Sequence, residues 1–243
     1  MRIYELRDKY CSWKELEIKL TETMMLFKNY MNRVTSVSQN DEIKRLVNQD
    51  ALEKLIEFTR LMTDDFEIPE MHNEKDTRNG DVYRLHSWIM LGALTECVLQ
   101  MFLTTYIDDY KSSQWQQWDQ FEEGEVINTI NDSIDSCVKK SKLKSNQGRS
   151  LKDAITDKIE QHTKEHSVEK IMLDEIIQFY KKMKIIDDNE FEILRMIQRN
   201  RNGIHLFEDR AIGSWKELKY CINCFCNLLD NLILRLPDVL DCN

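Results

Sequence analysis

The sequence predicts an all-α protein, and three observations carry that prediction. Of 243 residues only 6 are Gly and 2 are Pro, against 42 % hydrophobic and 32 % charged, which leaves too few breakers for a turn-rich β architecture. Apolar side chains recur at spacings of three and four along most of the chain, the period of one helix face. Ser12, three residues before Glu15, resembles a capping box, and Asp187-Asp188-Asn189 reads as a cap with Glu190 and Glu192 in the first turn after it.

Leu16, Leu20, Met24, Phe27 and Met31 define the inner face of a first helix from Ser12 to about Val37, with Ser12 and Glu15 as its capping box. A second helix is expected from Asp41 to about Met62, burying Ile43, Leu46, Val47, Leu52, Leu55, Ile56 and Phe58. Residues 64–81 combine Asp64, Asp65, Pro69, Asn73, Asn79 and Gly80 with few apolar groups and read as a loop. That loop suggests a division into an N-terminal helical hairpin extension, 1–80, and a main helical domain, 81–243.

From Val82 to about Tyr106 the chain is apolar on most sides, which describes a central helix covered all round. Glu96 lies within it, where an unpaired carboxylate is costly, so it is expected to be exposed, paired with an arginine or part of a site. The stretch from Lys111 to Lys152 is polar; Ser145 to Gly148 reads as an exposed loop, with Lys139, Lys140, Lys142, Lys144, Arg149 and Lys152 around it. Such a basic cluster is either a solvated face or an RNA contact. Further helices are expected over Leu151–His162 and Val168–Met183, then one capped by Asp187-Asp188-Asn189, and last one from Ser214 to Leu236, closed by Pro237. Gly203 is expected to end the helix capped by Asp187-Asp188-Asn189 through a positive φ.

A net charge of −9 argues against unspecific coating of nucleic acid, although a local basic surface could hold a short RNA. Seven cysteines, an odd number set partly in apolar helical patterns, point to a reducing cytoplasm. No signal-peptide pattern is present, and no uninterrupted apolar run approaches the roughly 20 residues of a spanning helix. Cys221, Cys224 and Cys226 lack a second ligand pair at zinc spacing and read as core. His162 and His166 could share a helix face but lack a third ligand. Neither a Gly-rich phosphate loop nor a Gly-flanked nucleophilic serine occurs, and no cofactor or metal is expected.

Chemistry concentrates in Arg199-Asn200-Arg201-Asn202-Gly203-Ile204-His205, two guanidiniums and an imidazole within about two helical turns. A group that titrates near neutrality beside fixed positive charge suits action on a phosphodiester. The same residues would also serve an ordinary helix C-terminus, where cations complement unpaired carbonyls.

The run Ile197 to Phe207, after a helix and an acidic turn, resembles the mark of HEPN domains (higher eukaryotes and prokaryotes nucleotide-binding): an Arg, commonly followed by Asn, with four to six residues before a His. Arg199 to His205 has that spacing; Arg201 to His205 is one residue short of it, and both arginines are candidates for the family position. The resemblance extends to the helix around Gly92–Glu96 and to the closing helix, about residues 82–236. It implies a HEPN-like helical bundle and a homodimer in which Arg and His of both protomers line one cleft, and a metal-independent endoribonuclease of toxin or antiviral-defence type with an RNA substrate and a cognate antitoxin or defence partner. In that scheme His205 moves the proton of the 2′-hydroxyl or the leaving oxygen and Arg199 or Arg201 holds the phosphate. Asn200 or Asn202 orients the imidazole or donates to the phosphate, Glu96 fixes an arginine, and DNA resists cleavage. The alternative is a noncatalytic helical nucleotide-binding or protein-interaction module.

Overall fold

A computed structural model describes residues 12–71, 78–113, 123–163, 167–204 and 212–237. The protein is all-α: among the described residues there are eleven α-helices and no strand. They are α1 Trp13–Val37, α2 Asp41–Leu46, α3 Gln49–Asp64, α4 Glu67–Met71, α5 Arg78–Thr105, α6 Ile107–Ser112, α7 Glu123–Lys139, α8 Ser145–Thr163, α9 Leu173–Lys182, α10 Asp188–Arg201 and α11 Trp215–Ile233. Short 3-10 turns run over Val168–Lys170 and Asn202–Ile204.

The chain divides into two compact units, one of residues 1–107 with 171–243 and one of residues 108–170. The division therefore falls elsewhere than at the expected residue 80. In the first unit α1 packs on α3 and α11, and α5 packs on α3, α9, α10 and α11, so the N-terminal hairpin shares a core with the C-terminal helices. Trp13, opening α1, meets Trp215, opening α11, edge to face at 5.9 Å. Fully buried Trp88, Trp215, Tyr180 and Phe225 anchor this core, each contributing roughly 2–3 kcal/mol of apolar burial. By length and composition Gly80–Thr105 would suit a membrane crossing, but 67 % of its most apolar stretch is buried inside the fold, as befits the central helix of a bundle.

Caps set the helix starts. Ser12 with Glu15, Asp187 with Glu190 and Ser214 with Glu217 each form the reciprocal capping box, the side-chain oxygen accepting from the N3 amide and the glutamate from the cap amide. The helix expected over Asp41–Met62 is broken in two: Val47 leaves helical geometry, and Asn48 accepts from the Ala51 amide to start α3. Phe58, expected inside, is 42 % exposed. The expected loop 64–81 contains α4 and the first turn of α5, and residues 72–77 lie outside the described residues.

The second unit is built on the α7–α8 hairpin. α7 occupies the polar stretch in which no helix was expected, and Ser145–Gly148, expected as a loop, is the first turn of α8. Gly148 sits there because a Cβ would come within 2.7 Å of Val138 Cγ2, so its lack of a side chain sets how closely the two helices approach.

Candidate functional site

α10 buries Ile193, Leu194, Ile197 and one polar side chain, Asn200. Positions 199 and 201 lie about 200° apart around a helix, so the two arginines cannot share a face. Arg201 turns toward α5 and Arg199 is exposed on the α11 side, where its charge reaches Cys221.

The Arg201 side is closely fitted. Its Nη2 lies 2.7 Å from Glu96 Oε2, the two side chains being 30 % and 21 % exposed. Glu96 Oε1 accepts from the Leu173 amide at 3.0 Å, so one carboxylate joins an arginine of α10 to the first turn of α9, where anionic charge also suits the helix dipole. One turn along α5, Gln100 donates to the Ile171 carbonyl at 2.9 Å. One turn back is Gly92, where a Cβ would stand 2.4 Å from Arg201 Cδ and 2.8 Å from its Cβ. The arginine stem thus lies in a notch that only glycine leaves open. Glu96, a carboxylate inside an apolar helix, therefore has the arginine partner that its position calls for.

Asn200 faces inward and is 8 % exposed. Its Nδ2 donates to the Met196 carbonyl at 2.9 Å, and its Oδ1 accepts from the Gly213 amide at 2.7 Å. The Gly213 carbonyl accepts from Trp88 Nε1 at 3.1 Å. Asn200 and Trp88 together fix the point at which the chain re-enters the fold before α11; both polar ends of Asn200 are used in that task. A Cβ at 213 would stand 2.9 Å from the Trp88 ring, so glycine permits this approach as well.

Arg199 makes no hydrogen bond or ion pair among the described residues and is exposed. Beneath it, burial holds the Cys221 thiol well above its ordinary pKa, with the neighbouring Cys224 and Glu217 pushing the same way and Arg199 opposing them. Asn202 caps α10, half-buried, its amide donating to the Asn200 and Gln198 carbonyls. Gly203 does not take the positive φ expected of it: the chain passes through Asn202–Ile204 as a 3-10 turn, and among the described residues the left-handed ones are Ser141 and Lys184. His205 lies outside the described residues. The fold thus brings Glu96 and Arg201 together, commits Asn200 to the backbone, and sends Arg199 to another flank.

Several participants were not singled out in the sequence. Asp174 of α9 receives both Arg195 and Gln198 of α10, the latter at 3.0 Å, and with Glu96 forms a polar seam along α10. Gly92 and Gly213 matter only through what approaches them. His86 Nδ1 lies 2.6 Å from Asp65 Oδ2, tying α5 to the end of α3. A cavity of about 470 Å³ beside the α9–α10 turn has mixed charge, Lys181 being paired with Asp188 and Arg235 with the Ile185 carbonyl. Cys221, Cys224 and Cys226 are buried in α11. Among the described residues no three His, Cys, Asp or Glu side chains converge as metal ligands would; His166 and the His162 side chain lie outside them.

Comparison with protein-family models, curated proteins and solved structures finds no match to this chain.

Proposed function

We propose that the chain is a metal-independent endoribonuclease of toxin or antiviral-defence type, acting on RNA as a cytoplasmic homodimer with HEPN-like chemistry. The observation that carries the reading is the division of labour at the end of α10: Arg201 is fixed by Glu96 in the Gly92 notch, while Arg199 stays exposed. A held charge and an accessible one then flank the turn that leads to His205.

In this reading Arg199 binds the scissile phosphate and stabilises its developing charge, and Arg201, whose charge Glu96 offsets, is a positioning residue together with Asn200. His205 takes the proton of the ribose 2′-hydroxyl. That oxygen bonds to phosphorus as the bond to the 5′ oxygen breaks, and the leaving oxygen is protonated by an imidazolium, which the second protomer's copy of His205 can supply. The products are a 2′,3′-cyclic phosphate and a 5′-hydroxyl, and DNA lacks the nucleophile.

RNA incubated with the protein in excess chelator is expected to be cut, with DNA of the same sequence intact. Arg199→Ala and His205→Ala, each shown to be folded and dimeric, are expected to lower the rate by at least about 100-fold. Unchanged cleavage in both variants would remove the proposal.

One observation favours a second reading, a noncatalytic nucleotide-binding or interaction module: Asn200 and Arg201 are already engaged within the fold. It predicts no RNA cleavage under any of these conditions, and a partner such as an antitoxin copurifying from the native host.

A further inference from the structure

The α7–α8 hairpin carries a charge pattern that the ribonuclease reading leaves unused. Between Ser136 and Lys152 the chain has six cations and no acid, in a protein of net charge −9. Lys152 is matched by Asp135 at 2.8 Å. The side chains of Lys139, Lys140, Lys142, Lys144 and Arg149 are all exposed and make no hydrogen bond or ion pair among the described residues.

The backbone that presents them is well defined. α7 ends with Ser141 in the left-handed region, φ 56°, the Ser141 amide donating to the Val138 carbonyl at 2.9 Å and the Lys142 amide to the Cys137 carbonyl at 2.9 Å. This is the paired C-terminal closure that satisfies the last helix carbonyls. α8 starts at once: the Lys144 amide donates to the Gln147 side chain at 3.0 Å, and Gly148 lets α8 sit against Val138. A short, hydrogen-bonded turn thus gathers four lysines with no acid among them, and Arg149 follows on the first turns of α8, beside a pocket that Asp135 and Asp153 also line. α8 adds to the positive potential, having no acidic residue in its first turn.

We propose that this tip docks the phosphodiester backbone of a nucleic-acid strand and reads charge rather than base sequence. α7 and α8 contain no Phe, Trp or Tyr, so stacking platforms for bases are missing from the helices themselves. A membrane surface fits less well, because insertion needs an apolar face and Leu151, 45 % exposed, is the single strongly exposed large apolar side chain of the hairpin's described residues.

The test uses the full chain and a labelled 2′-O-methyl oligouridine, which has no nucleophilic 2′-hydroxyl and cannot be cut by the proposed chemistry, so binding is read independently of cleavage. A DNA oligothymidine of the same length and anionic phospholipid vesicles are the other arms. With about five phosphate contacts on a single strand, affinity should fall about 100-fold between about 50 and 200 mM salt, for RNA and DNA alike. In K139Q/K140Q/K142Q/K144Q, where about one contact remains, the same salt change should cost about 3-fold. A control with equal charge change, K14Q/K44Q/K54Q/K216Q, should keep the steep slope, and Arg149→Gln alone should flatten it by about one contact. Binding that is absent, that survives the hairpin variant unchanged, that falls equally in the control, or that is confined to vesicles overturns the proposal.

Discussion

The end of α10 and the tip of the α7–α8 hairpin both concentrate cations, and the protein treats them in opposite ways. At α10, Arg201 meets Glu96 of α5 and Arg195 meets Asp174 of α9, so charge other than that of Arg199 is answered by acids from other helices. At the hairpin tip four lysines and Arg149 have no acid between Ser136 and Lys152 to answer them. The difference teaches what each set of charges is for. Compensated charge fixes where helices meet, and its removal is felt as lost stability. Uncompensated charge contributes nothing to holding the fold and is available to a partner. Stability and binding measurements should therefore separate the two regions.

The largest expected effect concerns a thiol of α5 beside Glu96. Cys97, next to Glu96, has its thiol pushed up from 9.0 to about 11, by burial first and by the Glu96 carboxylate second. Two units mean about 100-fold less thiolate near pH 8 than an ordinary cysteine holds, so labelling of Cys97 by a thiol reagent in the native protein should be slower by at least about that factor. Site-resolved mass spectrometry after timed labelling checks it. Because the folded pKa lies above the unfolded one, the proton is held more tightly in the folded state. The associated stability is intact below about pH 9 and is lost as pH rises toward 11. Labelling at an ordinary rate would mean that Cys97 is not shielded beside the Glu96 carboxylate.

Asn200→Ala comes next. It strands the part-buried Gly213 amide and releases the re-entry point before α11, which should cost about 1–2 kcal/mol in urea unfolding. A loss below about 0.5 kcal/mol, the size typical of surface changes, would mean that Asn200 is not the clamp its two hydrogen bonds describe.

These effects were legible in the sequence to different depths. Helix starts were readable because a capping box is local: Ser12 with Glu15 and Asp187 with Glu190 need only three residues of separation. Glu96 was readable as a group needing a partner, since an acid in an apolar helix is costly. Which arginine would answer it was not, because Arg199 and Arg201 differ only in the face they present once α10 is docked. The role of Asn200 depends on Gly213, thirteen residues away and brought back by the fold, and no spacing rule announces it. α7 was hidden by its charge. Its apolar residues Val126, Ile130, Ile134 and Val138 do recur every four, but the stretch around them reads as polar overall. Gly148 misled for a related reason: glycine signalled a turn, whereas its use is a close helix contact.

Glu96 and Arg201 sharpen the comparison through a double-mutant cycle. Glu96→Gln keeps an acceptor for the Leu173 amide and removes the charge, and Arg201→Met keeps much of the stem in the Gly92 notch. With both partners partly exposed, solvent screening limits the coupling to about 1 kcal/mol, measured by thermal unfolding of both single variants and the double. Coupling near zero would place Arg201 with the uncompensated cations.

The smallest effect is the most discriminating. Arg199→Ala and K139Q/K140Q/K142Q/K144Q should each change unfolding free energy by no more than about 0.5 kcal/mol, because none of these side chains has a protein partner to lose. For the hairpin variant the sign should be slightly stabilising at low salt, since like charges held on one turn repel, and the gain should fade as salt is added. A clear loss of stability at low salt would mean that the lysines hold the turn together. The contrast with α10 would then vanish, since both sets of cations would be structural.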